Sequence, residues 1–331
     1  MTVTWLLGPD DVARIRFAYS PMWELMASLR TLSDPRRQAI HRPWVTAVRP
    51  RLATFGADLA ELFALVPPDG YMPDFLTPPP EAPAPAFPAE LERIRRTPPE
   101  TAHTEVSRLD PGRSPAIRAF LADPAAGIER VAGTLARYWD ACLREFWPRV
   151  HGLLEADVIR RTRTLAAGGA RALFDSLNPA VTWTGDRLHI DRPHCLIEGP
   201  HGEGLVLVPS AFHWPAVAVM SAPYQAMLAY PVAGVGTLWD DTPPPAPDGL
   251  AALIGRSRAR MLVALAEPAT TTALARRLSL TTGAVSQHLS VLRGGGLAVG
   301  KRVGKEVYYR RTPTGDALTQ APGVATPGPR A

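Results

Sequence analysis

Proline limits this chain more than any other residue. It occurs 36 times in 331 residues, about twice its ordinary usage, and it is clustered. Nine prolines fall between Pro67 and Pro88, and Asp240 to Gly249 reads DDTPPPAPDG. A proline lacks the backbone N–H and crowds the preceding turn, so neither stretch suits a regular helix or an interior strand. The first is read as an extended loop and the second as the clearest boundary. They divide the chain into a sensor or dimerisation domain (1–240, with the loop at 67–88), a linker (241–249), a second domain (250–315) and a flexible, Gly- and Pro-rich tail (316–331). Thr97 to Pro115 reads as a weaker loop of the same kind.

Between these breaks the apolar spacing is helical. Pro9-Asp10-Asp11 precedes Val12, Ile15 and Tyr19, and Pro21 restarts a run of Met22, Leu25, Met26 and Leu29 that ends at Asp34-Pro35. Trp44 to Val66 reads as one helical stretch. Ile128 to Trp147 and Val150 to Leu177 read as two long helices broken at Pro148. From Val181 the period shortens to 2. Val181 and Trp183, then Leu188 and Ile190, alternate around Gly185-Asp186, a hairpin signal. Leu205 to Pro209, Ala216 to Met220 and Met227 to Pro231 read as further strands, and Thr2 to Leu7 as another. The expectation is one small antiparallel sheet (181–231) embedded in a helical domain.

Only two cysteines are present, Cys142 and Cys195. That excludes a disulfide framework and fits a reducing compartment, so a cytoplasmic location is expected. Met1 to Leu7 has no basic, long-apolar leader pattern, and no run reaches the roughly 18 apolar residues of a membrane span. No membrane partner is expected.

Charge is unevenly spread. Gly249 to Gly315 holds eleven Lys and Arg against two acids, a balance of +9, whereas residues 1–248 carry −4. A small basic module beside a larger acidic one suits a nucleic-acid binder with a separate control domain. Within the module, Leu250 to Glu267 reads as a helix ended by Pro268. Thr270 to Thr272 offers a cap, Leu274, Ala275 and Leu278 mark a second helix, and Leu280 to Gly283 a tight turn. Ala284 to Gly294 is the third helix. Its stripe of Val285, Leu289 and Leu292 leaves Gly283, Gln287 and Ser290 opposite, flanked by Ser286, His288 and Arg293. Gln can pair with adenine, Ser with any base and Arg with guanine or phosphate. No acid occurs from Ala269 to Gly304. Leu297 to Val299 and Val307 to Tyr309 then flank Gly300-Lys301-Arg302-Val303-Gly304-Lys305, a hairpin with three cations at its tip that suits phosphate contact.

The run TALARRLSLTTGAVSQHLSVLRGGGLAVGKRVGKEVYYRRT, from Thr272, resembles the winged helix of ArsR-type bacterial repressors over about 65 residues, a fifth of the chain. AVSQHLSVLRGGGL and the hairpin ending in VYYR carry the resemblance. It implies a homodimer on a two-fold DNA site, released by an effector. Its recognition helix would use Thr282, Gly283, Ser286, Gln287, His288, Ser290 and Arg293, and its wing Lys301, Arg302, Lys305 and Arg310. The chain departs from the family in two ways. TTALARRLSL has none of the paired cysteines of metal sensors, and Thr314 to Gln320 is too short for a long dimerisation helix. Dimer contacts are therefore expected from Leu250 to Ala266 and the N-terminal region. The residues before the module also resemble the uncharacterised region that precedes such winged helices in long members.

Other constellations are weaker. His189, His194, Cys195, His201 and His213 lie close in sequence but match no metal template. Cys142, on an apolar helix face, reads as core. No Walker loop, HExxH or GxSxG occurs, so neither an enzyme nor a cofactor is expected. Trp139, Trp183, Phe212, Trp214 and Tyr224 could line an apolar effector pocket, although ordinary core packing explains most such aromatics. The expected fold is mainly α with small antiparallel β: a helical domain with an embedded sheet, then a winged helix-turn-helix. The leading function is an effector-responsive, DNA-binding repressor with double-stranded DNA, a second copy and a small molecule as partners. The alternatives are a winged-helix protein-interaction module and, third, an enzyme-linked N-terminal domain.

Overall fold

A computed structural model describes residues 2–110, 112, 114–191, 199, 202–239, 248–266, 268–303 and 306–320. The chain forms two compact units, Met1–Trp239 and Asp240–Ala331. It is mainly helical, with small antiparallel and mixed sheets.

The first unit carries helices α1 (Pro9–Ala13), α2 (Pro21–Ser33), α3 (Pro35–Gln38), α4 (Arg42–Leu52) and α5 (Ala57–Leu65). After the proline-rich loop come α6 (Phe87–Arg95), α7 (Pro99–Val106), α8 (Pro115–Ala122), α9 (Pro124–Tyr138) and α10 (Trp147–Leu177). All of these except α5 have proline in their first turn. There the missing N–H would have had no helical partner, and the fixed φ is already helical. This corrects the reading of Thr97 to Pro115 as loop: Pro98-Pro99 starts α7. The same holds at Pro148, which opens α10, and Val150 to Leu177 is not one unbroken helix, since Gly169 (φ +70°) kinks it. The stretch Trp44 to Val66 is two helices rather than one, parted at Gly56, whose φ is +52°. A short π-helical turn, Trp139–Leu143, follows α9. The Cys142 carbonyl there accepts the Trp44 indole N–H at 2.9 Å, and the Ala141 carbonyl accepts from Arg51 at 2.8 Å. Leu29, Trp44, Leu65, Phe120, Tyr138 and Cys142 are buried in one cluster at the centre of this helical layer. Cys142 is thus a core residue, its thiol pushed up to about 12 by burial.

The strands are β1 (Thr2–Leu6), β2 (Arg16–Phe17), β3 (Val181–Thr184), β4 (Arg187–Asp191), β5 (Val206–Ser210), β6 (Ala218–Met220) and β7 (Met227–Pro231). They form two sheets, not the single antiparallel sheet expected. One is antiparallel, in the order β1-β4-β3, with the β3–β4 hairpin turning at Gly185 (φ +66°). The other is mixed, in the order β2-β5-β7-β6: β5 runs parallel to both β2 and β7, and β6 is antiparallel. Arg16-Phe17, inside the region read as helix from Val12 to Tyr19, is its edge strand. Because side chains alternate along a strand, the register sorts the mixed sheet into two faces. Leu207, Leu228 and Tyr230 meet Leu173 and Phe174 of α10 on one side. Val206, Val208, Met227 and Ala229 meet Trp23 of α2 on the other.

The second unit is built from α11 (Asp248–Ile254), α12 (Arg256–Ala264), β8 (Ala269–Thr270), α13 (Thr271–Leu278), α14 (Thr282–Gly294), β9 (Ala298–Val303), β10 (Glu306–Arg311) and α15 (Pro313–Gln320). Leu250 to Glu267 is two helices rather than one, divided at Gly255 (φ +86°). Met261, Leu262, Leu274, Leu278, Val285 and Leu289 form the core, with Leu318 of α15 packed against it. The ordered unit therefore extends past residue 315, and the expected tail loses its first five residues to α15. Gly315 is buried in this packing. A Cβ there would lie 2.3 Å from the Leu297 carbonyl oxygen and 3.3 Å from the Arg311 Cβ. We expect Gly315→Ala to destabilise the second unit by about 2–3 kcal/mol through this overlap, read as a lower urea midpoint. An unchanged midpoint would show that the backbone yields freely there.

Candidate nucleic-acid interface

The second unit places its polar helix by local rules. The Thr270 side chain caps α13, accepting from Ala273 N at 3.2 Å. The Thr281 side chain caps α14, accepting from Ala284 N at 3.2 Å. The turn between the helices is Ser279 to Thr281, with Ser279 left-handed at φ +55°. It ends two residues earlier than expected, so Thr282 and Gly283 open α14 instead of preceding it.

Along α14, Val285, Leu289 and Leu292 are buried. Thr282, Gly283, Ser286, Gln287, Ser290 and Arg293 are exposed, and His288 is half-buried. The helical spacing thus produces one apolar and one polar face, as the wheel predicts. Val291, half exposed, is an apolar interruption that the wheel did not single out. Exposed arginines at positions 256, 260 and 276 add further charge. The basic count of the segment contained that signal, but no motif marked them.

Strands β9 and β10 form a hairpin, and β10 also pairs with β8. Lys301 lies opposite Tyr308, and Val299 opposite Arg310, on one face of the ribbon. Arg302 lies opposite Val307 on the other face, the one that also carries Gly300 and Tyr309. Successive residues of a strand point apart, so Lys301 and Arg302 do not act as one cluster. Both are exposed, whereas Arg310 is half-buried. Lys305 lies outside the described residues. Gly300 is dictated by packing: a Cβ would meet the Tyr309 ring at 3.0 Å and Val307 at 3.2 Å. Arg311, next to the proposed Arg310, is held by Asp316 at 2.9 Å and donates to Thr319 at 2.6 Å. It anchors α15.

The five aromatics suggested for an effector pocket are not brought together. Trp139 stacks on Phe87 at 4.5 Å, and Phe212 on His41 at 4.4 Å. Both belong to the helical core. Trp183 stacks on Phe174 at 5.2 Å, in the core beside the antiparallel sheet. Tyr224 packs on the far face of the mixed sheet, and Trp214 is exposed. Near 3.6 or 2 residues per repeat, sequence spacing reports a shared face within an element. It carries no information about which elements meet.

Of the histidine–cysteine group, His194, Cys195 and His201 lie outside the described residues. His189 bonds Thr4 at 3.1 Å, and His213 is buried edge-on to Trp23. Among the described residues, no group of three or more His, Cys, Asp or Glu is arranged to hold a metal. Nor is any helix among them long and apolar enough to cross a membrane.

A family model described as "Family of unknown function (DUF5937)" matches residues 100–236. The match falls wholly within the first unit and does not reach the polar helix or the hairpin. No curated protein and no solved structure matches the chain.

Proposed function

We propose that the second unit is a winged helix that binds double-stranded DNA, and that the chain is a transcriptional repressor acting as a dimer on a two-fold operator. The observation that carries this reading is the outward face of α14: Ser286, Gln287, Ser290 and Arg293 are exposed together over a packed apolar stripe. Small polar side chains let a helix approach base edges closely, and an amide and a guanidinium supply direct readout. The acid-free run from 269 to 304 spares that face repulsion from phosphates. Lys301 and Arg302, exposed on the adjoining ribbon, supply sequence-independent attraction. A separate first unit gives an effector a place to bias DNA-competent dimers, provided it binds the two states unequally.

The test is a mobility-shift titration of the full chain on the duplex upstream of its own gene, repeated over a salt series. A shift that survives excess unrelated DNA supports the reading. No binding at low salt overturns it in favour of protein recognition. On the same duplex, Lys301→Ala with Arg302→Ala should weaken specific and unrelated DNA alike. The log–log salt slope should flatten by about 0.9 for each phosphate that is no longer neutralised. An unaltered slope removes the ribbon from the interface.

A further inference from the structure

Three segments of the first unit that are far apart in sequence meet through one network of ionisable side chains. Tyr71 and the short helical turn Asp74–Leu76 belong to the proline-rich loop. Glu105 lies at the end of α7, Arg108 just beyond it, and Tyr224 between β6 and β7. The Tyr71 hydroxyl donates to Asp74 Oδ2 at 3.2 Å, and Arg108 Nη1 lies 3.6 Å from the same oxygen. Arg108 also donates to the Tyr71 hydroxyl at 3.3 Å and covers its ring at 5.4 Å. Phe75 N, the N–H of the peptide that follows Asp74, donates to Glu105 Oε2 at 2.7 Å. The Tyr224 hydroxyl donates to Glu105 Oε1 at 2.6 Å. Asp74 and Phe75 thus tie the loop to α7, and Glu105 ties α7 to the turn that joins β6 to β7.

The charges in this network do not balance. Two carboxylates face one cation, and the Arg108 side chain is 54% exposed, so water screens much of its attraction. Glu105 is buried. The groups acting on Asp74 are Glu105, Tyr71 and Arg108, and Tyr224 joins them through Glu105. Burial, followed by the neighbouring carboxylates, pushes the Tyr71 and Tyr224 hydroxyls up, so both stay neutral donors. With both acids ionised, an excess negative charge is left where little water can reach it. Two carboxylates that share a site compete, and one of them holds a proton to higher pH. Here that one is Asp74: burial and then Glu105 raise it to about 6, against the opposing pull of Tyr71 and Arg108.

We propose that this network is a proton-controlled clasp, which fastens the proline-rich loop to α7 while Asp74 is neutral and loosens it when Asp74 is charged. The folded site holds the proton more tightly than the opened one, where Asp74 returns to its ordinary value of 3.8. The contribution of Asp74 to closure is therefore full below about pH 4, is lost as pH rises through 6, and is constant above that. Acidification tightens the loop. Opening is local, because the bonds concerned join the loop to α7 and leave the packed helical core intact. The clasp concerns the first unit alone and does not depend on DNA binding.

The test is amide hydrogen exchange of the full chain, read by mass spectrometry from pH 4 to pH 8 and corrected for the intrinsic rate. The reporting N–H groups are those of Phe75, Leu76 and Thr77, which donate to Glu105, the Pro73 carbonyl and the Asp74 carbonyl. Their protection should fall about tenfold between pH 4 and pH 7 and then level off. Asp74→Asn should remove that step, while peptides from α2, where Glu24 and Glu90 titrate, keep their own pH dependence. Tyr71→Phe deletes a donor that favours the charged form, so it should move the midpoint to higher pH. Glu105→Gln removes the competing charge and should move it to lower pH. Three results would overturn the clasp: protection of Phe75 to Thr77 that ignores pH, a step that persists in Asp74→Asn, or a Tyr71→Phe midpoint that stays put or falls. Should Glu105→Gln fail to fold, Asp74→Asn and Tyr71→Phe still decide.

Discussion

Replacing Glu24 by alanine should lower the stability of the first unit by about 3–5 kcal/mol, or roughly 10 °C in thermal midpoint for a unit of this size. Glu24 lies on α2 with no exposed surface. Its carboxylate accepts Ala211 N at 2.7 Å and Phe212 N at 3.1 Å, which ties the helix to the chain leaving β5. Alanine would strand both donors in the interior, where neither finds water. Glu24→Gln should recover part of the loss, because its oxygen can serve one donor while its amide nitrogen opposes the other. A fall below about 1 kcal/mol for Glu24→Ala would mean that the two N–H groups find other acceptors.

The same residue gives the first unit a pH dependence. Three donors, from Ala211, Phe212 and Ser210, favour the charged carboxylate, but burial outweighs them and its pKa rises to about 7. Glu90, which accepts from Ser20 and Met22 at the start of α2, is also raised by burial to about 7. Each group holds its proton more tightly folded than unfolded. Their contribution is full below the unfolded value near 4.5 and is lost as pH rises through 7. His41 acts in the opposite sense. Burial lowers it to about 4, so its contribution fades as pH falls from 6.5 towards 4. Urea midpoints should therefore rise from pH 8 to about pH 6, and rise less in Glu24→Gln. A flat profile in the native protein would sink this account.

Gln287→Glu should abolish specific DNA binding, by a factor of about one hundred or more. Gln287 is exposed at the middle of the polar face of α14, between Gly283 and Ser290. The substitution keeps length and helix propensity, so the packed stripe of Val285, Leu289 and Leu292 should be undisturbed. It exchanges an amide that can both donate and accept for a carboxylate that only accepts, and it sets a charge against phosphates. Circular dichroism and thermal midpoint should match the parent. A folded Gln287→Glu protein with parental affinity would show that this face does not meet DNA.

The second unit was the more legible of the two. Its elements are consecutive, each pairs with near neighbours, and caps such as Thr270 and Thr281 act over three residues. Local rules therefore decide most of it, including the exposed face of α14. They placed the start of α14 two residues late because Thr282 and Gly283 satisfy turn and helix-start chemistry alike. They also placed Lys301 and Arg302 at one tip, where strand alternation separates them.

In the first unit, periodicity located α2 and the β3–β4 hairpin, because those depend on spacing within one segment, but it ran through Gly169, where α10 kinks. Proline misled between Thr97 and Pro115, since the residue that ends one helix also begins the next. Sheet membership could not be read at all. Arg16-Phe17 joins Val206-Leu207 across 190 residues, and the parallel pairing of β5 with β7 has no turn signature. The bond from Arg16 to the Pro80 carbonyl and that from Tyr224 to Glu105 likewise join segments far apart in sequence.

Sequence by itself determined the helical periods, the two-unit division at the 240s and the cationic, acid-free character of residues 269–304. Tertiary structure alone decided the partition of strands into two sheets, the dispersal of the aromatics and the burial of Glu24, Glu90 and Glu105. The physical reason is range. Dihedral preference and side-chain period act within a few residues, whereas desolvation and hydrogen-bond pairing depend on which remote segments the chain closes upon.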